Sequence, residues 1–373
     1  MNILVINSGS SSIKYKFFQM PKKKLLAEGK IEHIGETGSD IQDHKAGLKL
    51  ILNKINSVDA VGHRVVHGAE RFKKPVLIDQ PVIKKIRECC SIAPLHNPAN
   101  LAGILACSKL LKGVRQAAVF DTAFHQSIPD YAYIYGLPYE YYTKFCIRKY
   151  GFHGTSHEYV AHEAAHALKQ HINELKMITC HLGNGCSITA VDQGKSIDTS
   201  MGFTPLEGLV MGTRCGDIDP ALITHIMKKK RLDIISMDNL LNKESGLKGI
   251  SGLSNDMRVL EENSRKGNKR ARLALDIFVY RVKKYIGAYT AIMGGCDILV
   301  FTGGIGENQR GIRGRITKNI FKHLNKKPKI IVIPTNEELM IAKQTYQLMN
   351  GRELRRDPAH SAGLINAKRR RQR

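Results

Sequence analysis

The sequence predicts an α/β protein, and three observations predict it. Apolar strand-like runs alternate with longer helix-like runs along the chain. Small-residue turns rich in Gly, Ser and Asn follow directly after strands. A strand–turn–strand unit near the start also returns about half a chain later.

The first such unit is NILVINSGSSSIKYKFF, in which an apolar run, Ile3–Ile6, stops at NSGSSS and a second run spans Ile13–Phe18. Further strand-like runs are Ala60–Val66, Ala117–Phe120, Met177–His181, Ser187–Val191, Ile298–Thr302 and Ile330–Ile333. Helical periodicity or helix-start signals mark Pro81–Cys90, Pro98–Leu111, Ser156–Gln170, Pro220–Lys229 and Leu273–Met293. The echo begins at Lys176, where KMITCHLGNGCSITAVDQGKSIDTS reads strand, turn, strand, turn, strand. Two such halves indicate a duplicated domain with a cleft between the copies. The echo by itself equally fits two unrelated hairpins.

A chain of 373 residues is long enough for two ordinary domains. Its 42% hydrophobic and 24% charged residues are those of a soluble globular protein, and no apolar stretch approaches a membrane span. The first residues form a strand pattern, not a secretory leader. Eight scattered cysteines without a C-x-x-C pair read as reduced thiols in the cytoplasm. The formal charge is +25, which suits nucleic acid, an anionic substrate or a solvated surface; it is spread over several runs with no nucleic-acid-binding motif beside them, which favours the solvated surface and leaves nucleic acid the minor reading. The strongly basic stretch 351–373 reads as a frayed or disordered extension.

The turns suit phosphate. In NSGSSS, small residues let backbone N–H groups approach an anion, Ser10 and Ser12 add hydroxyls, and Lys14 adds charge. It is not a Walker A loop, because no GxxxxGK[ST] occurs and a strand follows. HLGNGCS offers Gly183 and Gly185 with the donors His181 and Asn184; FTGGIGEN offers Gly303, Gly304 and Gly306. Each is also an acceptable plain turn. Arg64 in AVGHRVVHG and Arg214 in MGTRCGDIDP sit in apolar or glycine-rich surroundings, where a guanidinium needs an anion. For Arg214 an internal pair to Asp217 or Asp219 is the alternative. His153, between Gly151 and Gly154, is held on a tight turn. Asp121 and Glu337 follow strands, where a carboxylate suits Mg²⁺ beside phosphate oxygens. HEAAH, His162 to His166, matches a zinc-peptidase motif but lacks its downstream context and also reads as a surface helix.

Nine motifs then occur in order: NSGSSSIK, HRVVHG, PLHNPAN, FDTAFH, YGFHGTSH, HLGNGCS, MGFTPLEGLVMGTRCGDIDP, FTGGIGEN and IPTNEEL. In this the chain resembles the acetate kinase family over about residues 1–350, with YGFHGTSH and MGFTPLEGLVMGTR the most specific. The resemblance implies two duplicated ribonuclease H-like domains, of the actin, Hsp70 and sugar-kinase kind, with an interdomain active-site cleft. The first domain would span 1–120, completed by about 340–350, and the second 121–339. The implied activity is Mg²⁺-dependent (Mn²⁺ as substitute) transfer of the ATP γ-phosphoryl group to acetate, giving acetyl phosphate and ADP. Propionate kinase, with the same chemistry, is the near alternative, and a homodimer is implied.

By motif match, Arg64 and Arg214 would hold the carboxylate and offset phosphoryl charge, and His153 would hydrogen-bond that group. Asp121 would position or polarise the acetyl group or metal. Asn7 and Glu337 would bind Mg²⁺. Ser10, Ser12, Lys14, His181, Gly183, Asn184 and Gly185 would contact the phosphates. Asp256, Met257, Arg258, Gly303, Gly304, Ile305, Gly306 and Asn308 would bind the nucleotide. Val66, Leu95, Phe152 and Pro205 would surround the methyl group. The chain departs from the family in short segments at 22–54 and 309–332, in Cys186 and Cys215, and in its basic tail.

Overall fold

The computed structural model describes residues 1–322 and 324–351. They form two compact units. One comprises Met1–Val65, Lys74–Val119 and the chain from Glu338; the other comprises Val66–Lys73 and Phe120–Glu337. The basic stretch beyond Gly351 lies outside the described residues.

The first unit is built on β1 (Asn2–Ser8), β2 (Ile13–Gln19), β3 (Lys24–Ile31), β4 (Ala60–Val65), β5 (Val76–Leu77) and β6 (Arg115–Phe120), in spatial order β3-β2-β1-β4-β6-β5. The first three strands form an antiparallel meander, and β1 pairs parallel with β4. Successive side chains of β1 go to opposite faces. Leu4 and Ile6 join Leu48, Ile51 and Cys107 of two helices, whereas Ile3 and Val5 join Ile341 and Ala342 of the helix Glu337–Met349. A strand covered on both faces must be apolar throughout, which is why Ile3–Ile6 reads as an unbroken run.

The second unit repeats this plan with β7 (Lys176–Leu182), β8 (Cys186–Asp192), β9 (Lys195–Thr199), β10 (Ile298–Thr302) and β11 (Lys329–Val332), in order β11-β10-β7-β8-β9. Here too a three-stranded antiparallel meander is extended in parallel from its first strand. The helix Gly154–Ala167 buries Val160, Ala161 and Ala164 against Met177, Ile298 and Val300. The helix Lys269–Ile292, capped by Asn268, covers the other face through Ala274, Phe278 and Val282.

Two elements differ from expectation. FTGGIGEN reads as a loop, but Gly303–Asn308 is a short helix. Its Glu307 carboxylate accepts hydrogen bonds from Gly303 N–H (2.9 Å) and Thr302 Oγ1 (3.3 Å), so a helical turn closes despite three glycines. Strand β3 is an edge strand with mostly exposed residues, packed on the core through Ala27 and Ile31, and so it leaves a weak strand signal. The HEAAH segment lies on Gly154–Ala167 with His162 and His166 on the exposed side. Among the described residues, no helix is long and apolar enough to cross a membrane.

Candidate active site

In the second unit the site grows from the YGFHGTSH turn. His153 adopts a left-handed backbone (φ 56°) and caps the helix Gly154–Ala167. Two glycines make this bend possible. A Cβ on Gly154 would lie 2.1 Å from the Asp121 carbonyl oxygen, and one on Gly151 would lie 2.3 Å from Thr199 and 2.8 Å from the His125 ring. His125 is fully buried; its Nε2–H donates to the Phe152 carbonyl (3.0 Å) and its Nδ1 accepts from Ser196 Oγ (2.8 Å). Burial lowers its pKa to about 4, so it is neutral at pH 7. Asp121, also buried, accepts from Thr155 Oγ1 (3.2 Å) and its backbone carbonyl accepts from Gly154 N–H (2.9 Å).

The β7–β8 turn meets this bend. Gly183 N–H donates to the Gly185 carbonyl, closing HLGNGC tightly (3.1 Å). His181 stacks on His153 with ring centroids 4.2 Å apart. A Cβ on Gly185 would lie 3.4 Å from Arg214 Nη1 and 3.5 Å from His153 Cε1, so both cationic candidates face the same glycine. Arg214 lies in a long irregular segment, Nη1 donating to the Pro205 carbonyl (3.2 Å). Burial lowers its pKa. The alternative ion pairs do not form. Asp217 accepts from Gly208 N–H (2.8 Å) and Tyr285 Oη (2.7 Å), and Asp219 accepts from Ala221 N–H (2.9 Å). Among the described residues, no carboxylate lies within ion-pair distance of Arg214. A partly buried guanidinium among neutral partners keeps the capacity to pair with an anion.

Beside the turn opens a cleft of about 480 Å³, lined by Gly183, Asn184, Asp256, Met257, Arg258, Gly304, Ile305 and Asn308. All eight belong to the sequence-derived set. Asn255 and Gln309 line it as well; sequence reasoning misses them, since nothing in their local sequence marks them. Asn255 Nδ2 donates to Asn184 Oδ1 (2.9 Å), fixing the amide. Arg258 forms a fork on Asp256, through Nε to Oδ1 (3.1 Å) and Nη2 to Oδ2 (2.7 Å), and this pairing lowers the carboxyl's pKa. Gly304 has open space at its Cβ position, whereas Gly303 (φ 77°) is pressed against the Leu182 backbone. Gly304 lines the cleft, and Gly303 and Gly306 stand behind it.

Val66 and Phe152 share one apolar cluster in this unit, and Pro205 is half-buried beside Arg214. Cys186 is buried at the start of β8, and burial pushes its thiol up to about 12; it behaves as a small apolar residue. Cys215 is half-buried, its thiol also raised by burial. Glu337 begins the helix Glu337–Met349.

In the first unit, Gly9–Ser12 close the β1–β2 hairpin, with Gly9 N–H donating to the Ser12 carbonyl (2.7 Å). Asn7 lies opposite Lys14 in register, and Asn7 Oδ1 accepts from Arg64 Nη1 (3.5 Å). Ser10 and Lys14 are exposed and Ser12 is half-buried. The motif match assigns Leu95 to an apolar pocket; Leu95 is 68% exposed, in the turn before the helix Asn97–Leu110.

The acetokinase family model matches residues 2–325. The chain belongs to the acetokinase family. Among its relatives, the acetate kinase of Halothermothrix orenii is 53% identical, covering 94% of this chain and all of that protein. The crystal structure of Porphyromonas gingivalis acetate kinase superposes with a TM-score of 0.89 at 43% identity, covering 93% of this chain and 99% of that one. A propionate kinase from Francisella tularensis superposes with a TM-score of 0.87 at 43% identity over 93% and 99% of the two chains. The two sheets of matching strand order are thus the duplicated actin-like domains of an acetokinase.

Proposed function

We propose that the acetokinase transfers the γ-phosphoryl group of ATP to acetate, reversibly, giving acetyl phosphate and ADP. The observation that carries this reading is Arg214, a partly buried guanidinium without a carboxylate partner among the described residues, facing Gly185 together with His153. Such a pair suits an anion whose charge redistributes during transfer. Acetate is already ionised at neutral pH, so its oxygen attacks phosphorus without a general base. The new O–P bond forms in line as the bond to the ADP oxygen breaks.

In this reading Arg214 and Arg64 hold carboxylate and phosphoryl oxygens, and His153 donates to a phosphoryl oxygen. Asp121, locked by Thr155, orients the reacting groups. The cleft at Asn184, Asp256 and Gly304 takes the nucleoside, and the two small-residue turns take phosphates. Val66, Phe152 and Pro205 meet the methyl group.

Among the described residues, no three His, Cys, Asp or Glu side chains gather into a metal site. The amide and carboxylate oxygens of Asn7 and Glu337 are hard donors of the kind Mg²⁺ takes, and one or two such protein oxygens beside substrate phosphates suffice for it. Asn7 Oδ1 and the Glu337 carboxylate are the proposed oxygens, and the bound ion would offset phosphate charge. We also read the protein as a cytoplasmic homodimer, as the resemblance implies; light scattering tests the stoichiometry.

The test is acetyl phosphate formation from ATP, Mg²⁺ and acetate, trapped as the hydroxamate. Turnover is expected. Folded protein without turnover overturns the reading.

A further inference from the structure

The loop that holds Arg214 is itself held by one phenol. Arg214 Nη1 donates to the Pro205 carbonyl (3.2 Å) and stands 3.7 Å from Met211 Sδ. Pro205 lies at the centre of the irregular loop 202–208. Tyr135, in the turn after the short helix Asp130–Tyr133, places its hydroxyl between the two ends of that loop. The Phe203 N–H donates to Tyr135 Oη (2.8 Å), and Tyr135 Oη donates to Glu207 Oε2.

A backbone N–H only donates, so the phenol oxygen accepts from Phe203, and its single proton is left for the Glu207 carboxylate. Burial and the adjacent Glu207 carboxylate raise the Tyr135 pKa, so the phenol keeps that proton at neutral pH. The other Glu207 oxygen pairs with Lys149 Nζ (3.3 Å). Lys149 also donates to the Thr199 carbonyl (3.0 Å) and stands 3.6 Å from Asp198 Oδ1, both at the end of β9. The Gly202 carbonyl accepts from the N–H groups of Tyr150 (3.0 Å) and Gly151 (3.1 Å), and a Cβ on Gly202 would collide with the Glu207 carboxylate and the Tyr135 hydroxyl. Residues 203 and 207 are thus tied to one oxygen, and through Lys149 to the sheet, with the Pro205 carbonyl midway between them.

We propose that Tyr135 is a positioning residue for Arg214: its hydroxyl clasps Phe203 and Glu207 and so fixes the Pro205 carbonyl to which the guanidinium donates. The inference rests on the reading that Arg214 meets the acyl or phosphoryl anion. A guanidinium presents its N–H donors in one rigid plane, so holding one of them on a fixed carbonyl sets the directions of the rest. Without the clasp, carbonyl and guanidinium are free to shift together. A displacement of about 1 Å in such a group can cost on the order of 100-fold in rate, and loss of one hydroxyl should cost part of that. The effect of Tyr135 on turnover therefore passes through Arg214.

The test is a double-mutant cycle in the full chain, run beside amide hydrogen exchange. Tyr135→Phe removes only the hydroxyl. It is expected to lower kcat/KM for acetate about tenfold, to change KM for ATP less than about twofold, and to speed exchange across 202–208. Placed on Arg214→Ala, it is expected to cost less than about twofold more, because the group it positions is gone. Glu207→Ala is expected to match Tyr135→Phe. Glu207→Gln, which keeps an oxygen acceptor for the phenol, is expected to recover most of the turnover. Wild-type kcat/KM in Tyr135→Phe overturns the proposal, and so does a tenfold loss that persists in full on Arg214→Ala, as a merely structural effect would. If Tyr135→Phe does not fold, the two Glu207 variants decide by the same cycle. If Arg214→Ala itself turns over near wild type, the phosphoryl reading fails. Faster exchange at 202–208 in Tyr135→Phe then still upholds the clasp, and unchanged exchange overturns it.

Discussion

Arg214 and His153 converge on a residue with no side chain: a methyl on Gly185 would touch Arg214 Nη1 at 3.4 Å and His153 Cε1 at 3.5 Å. These are ordinary contact distances, so alanine fits the folded protein. It would nevertheless occupy the space that both groups face. Gly185→Ala is expected to leave the thermal midpoint within a few degrees and to lower kcat/KM about tenfold or more. Unchanged turnover would place the transferring group elsewhere.

Removing either arginine should act on the transition state. Arg214→Ala and Arg64→Ala are each expected to reduce turnover roughly 100-fold or more. Arg214→Lys should recover little, because an ammonium lacks the planar fork that serves the Pro205 carbonyl and an anion together. Steady-state rates near wild type in both alanine variants would refute the assignment.

The bend at His153 depends on Gly154, where an added Cβ would meet the Asp121 carbonyl at 2.1 Å. The obstacle is backbone and cannot rotate away. Gly154→Ala is expected to destabilise the protein by about 1–3 kcal/mol, read from the urea midpoint. A stable, active variant would show that the bend is not rigid.

Stability should fall in mild acid. Burial lowers His63, His67 and His125 to about 4 from 6.5, so the unfolded chain takes up protons that the folded one refuses. Their depressed folded values mean that the stability they contribute is present above pH 6.5 and lost as pH falls towards 4. Each ring forfeits about 1.4 kcal/mol for every pH unit crossed between its unfolded and folded values. Urea unfolding across that window should show a stability that rises with pH and then levels. A flat profile would contradict the buried neutral rings.

Acyl selectivity should respond to Val66, which packs in one apolar cluster with Phe152. One methylene in such a pocket is worth about 1–3 kcal/mol, so acetate is expected to exceed propionate in kcat/KM by about tenfold or more, and Val66→Ala should narrow that ratio. Equal values for the two acids in the wild type would favour a propionate kinase.

Much of the fold was legible because its strands are covered on both faces. Burial on both faces makes Ile3–Ile6 of β1 and Ile298–Phe301 of β10 unbroken apolar runs, and turn residues punctuate them. Strand β3 escaped because a mostly exposed edge strand that packs through Ala27 and Ile31 shows little apolar patterning. The helix Gly303–Asn308 escaped because Glu307, from within the turn, bonds back to Gly303 and Thr302, and no propensity rule anticipates that.

The sequence by itself determined the α/β class, the repeated hairpin, the family, and most of the residues that line the cleft at Asn184 and Gly304. These are local matters of residue type, spacing and order. Only the tertiary structure decided that Asp217 turns to Tyr285 and Gly208 and, among the described residues, leaves Arg214 without a carboxylate. Only it decided that the Tyr135 hydroxyl meets both Phe203 and Glu207. Hydrogen bonding and ion pairing depend on which groups meet across 68 or 72 residues of chain, and that meeting is set by strand register and helix packing, not by any local pattern.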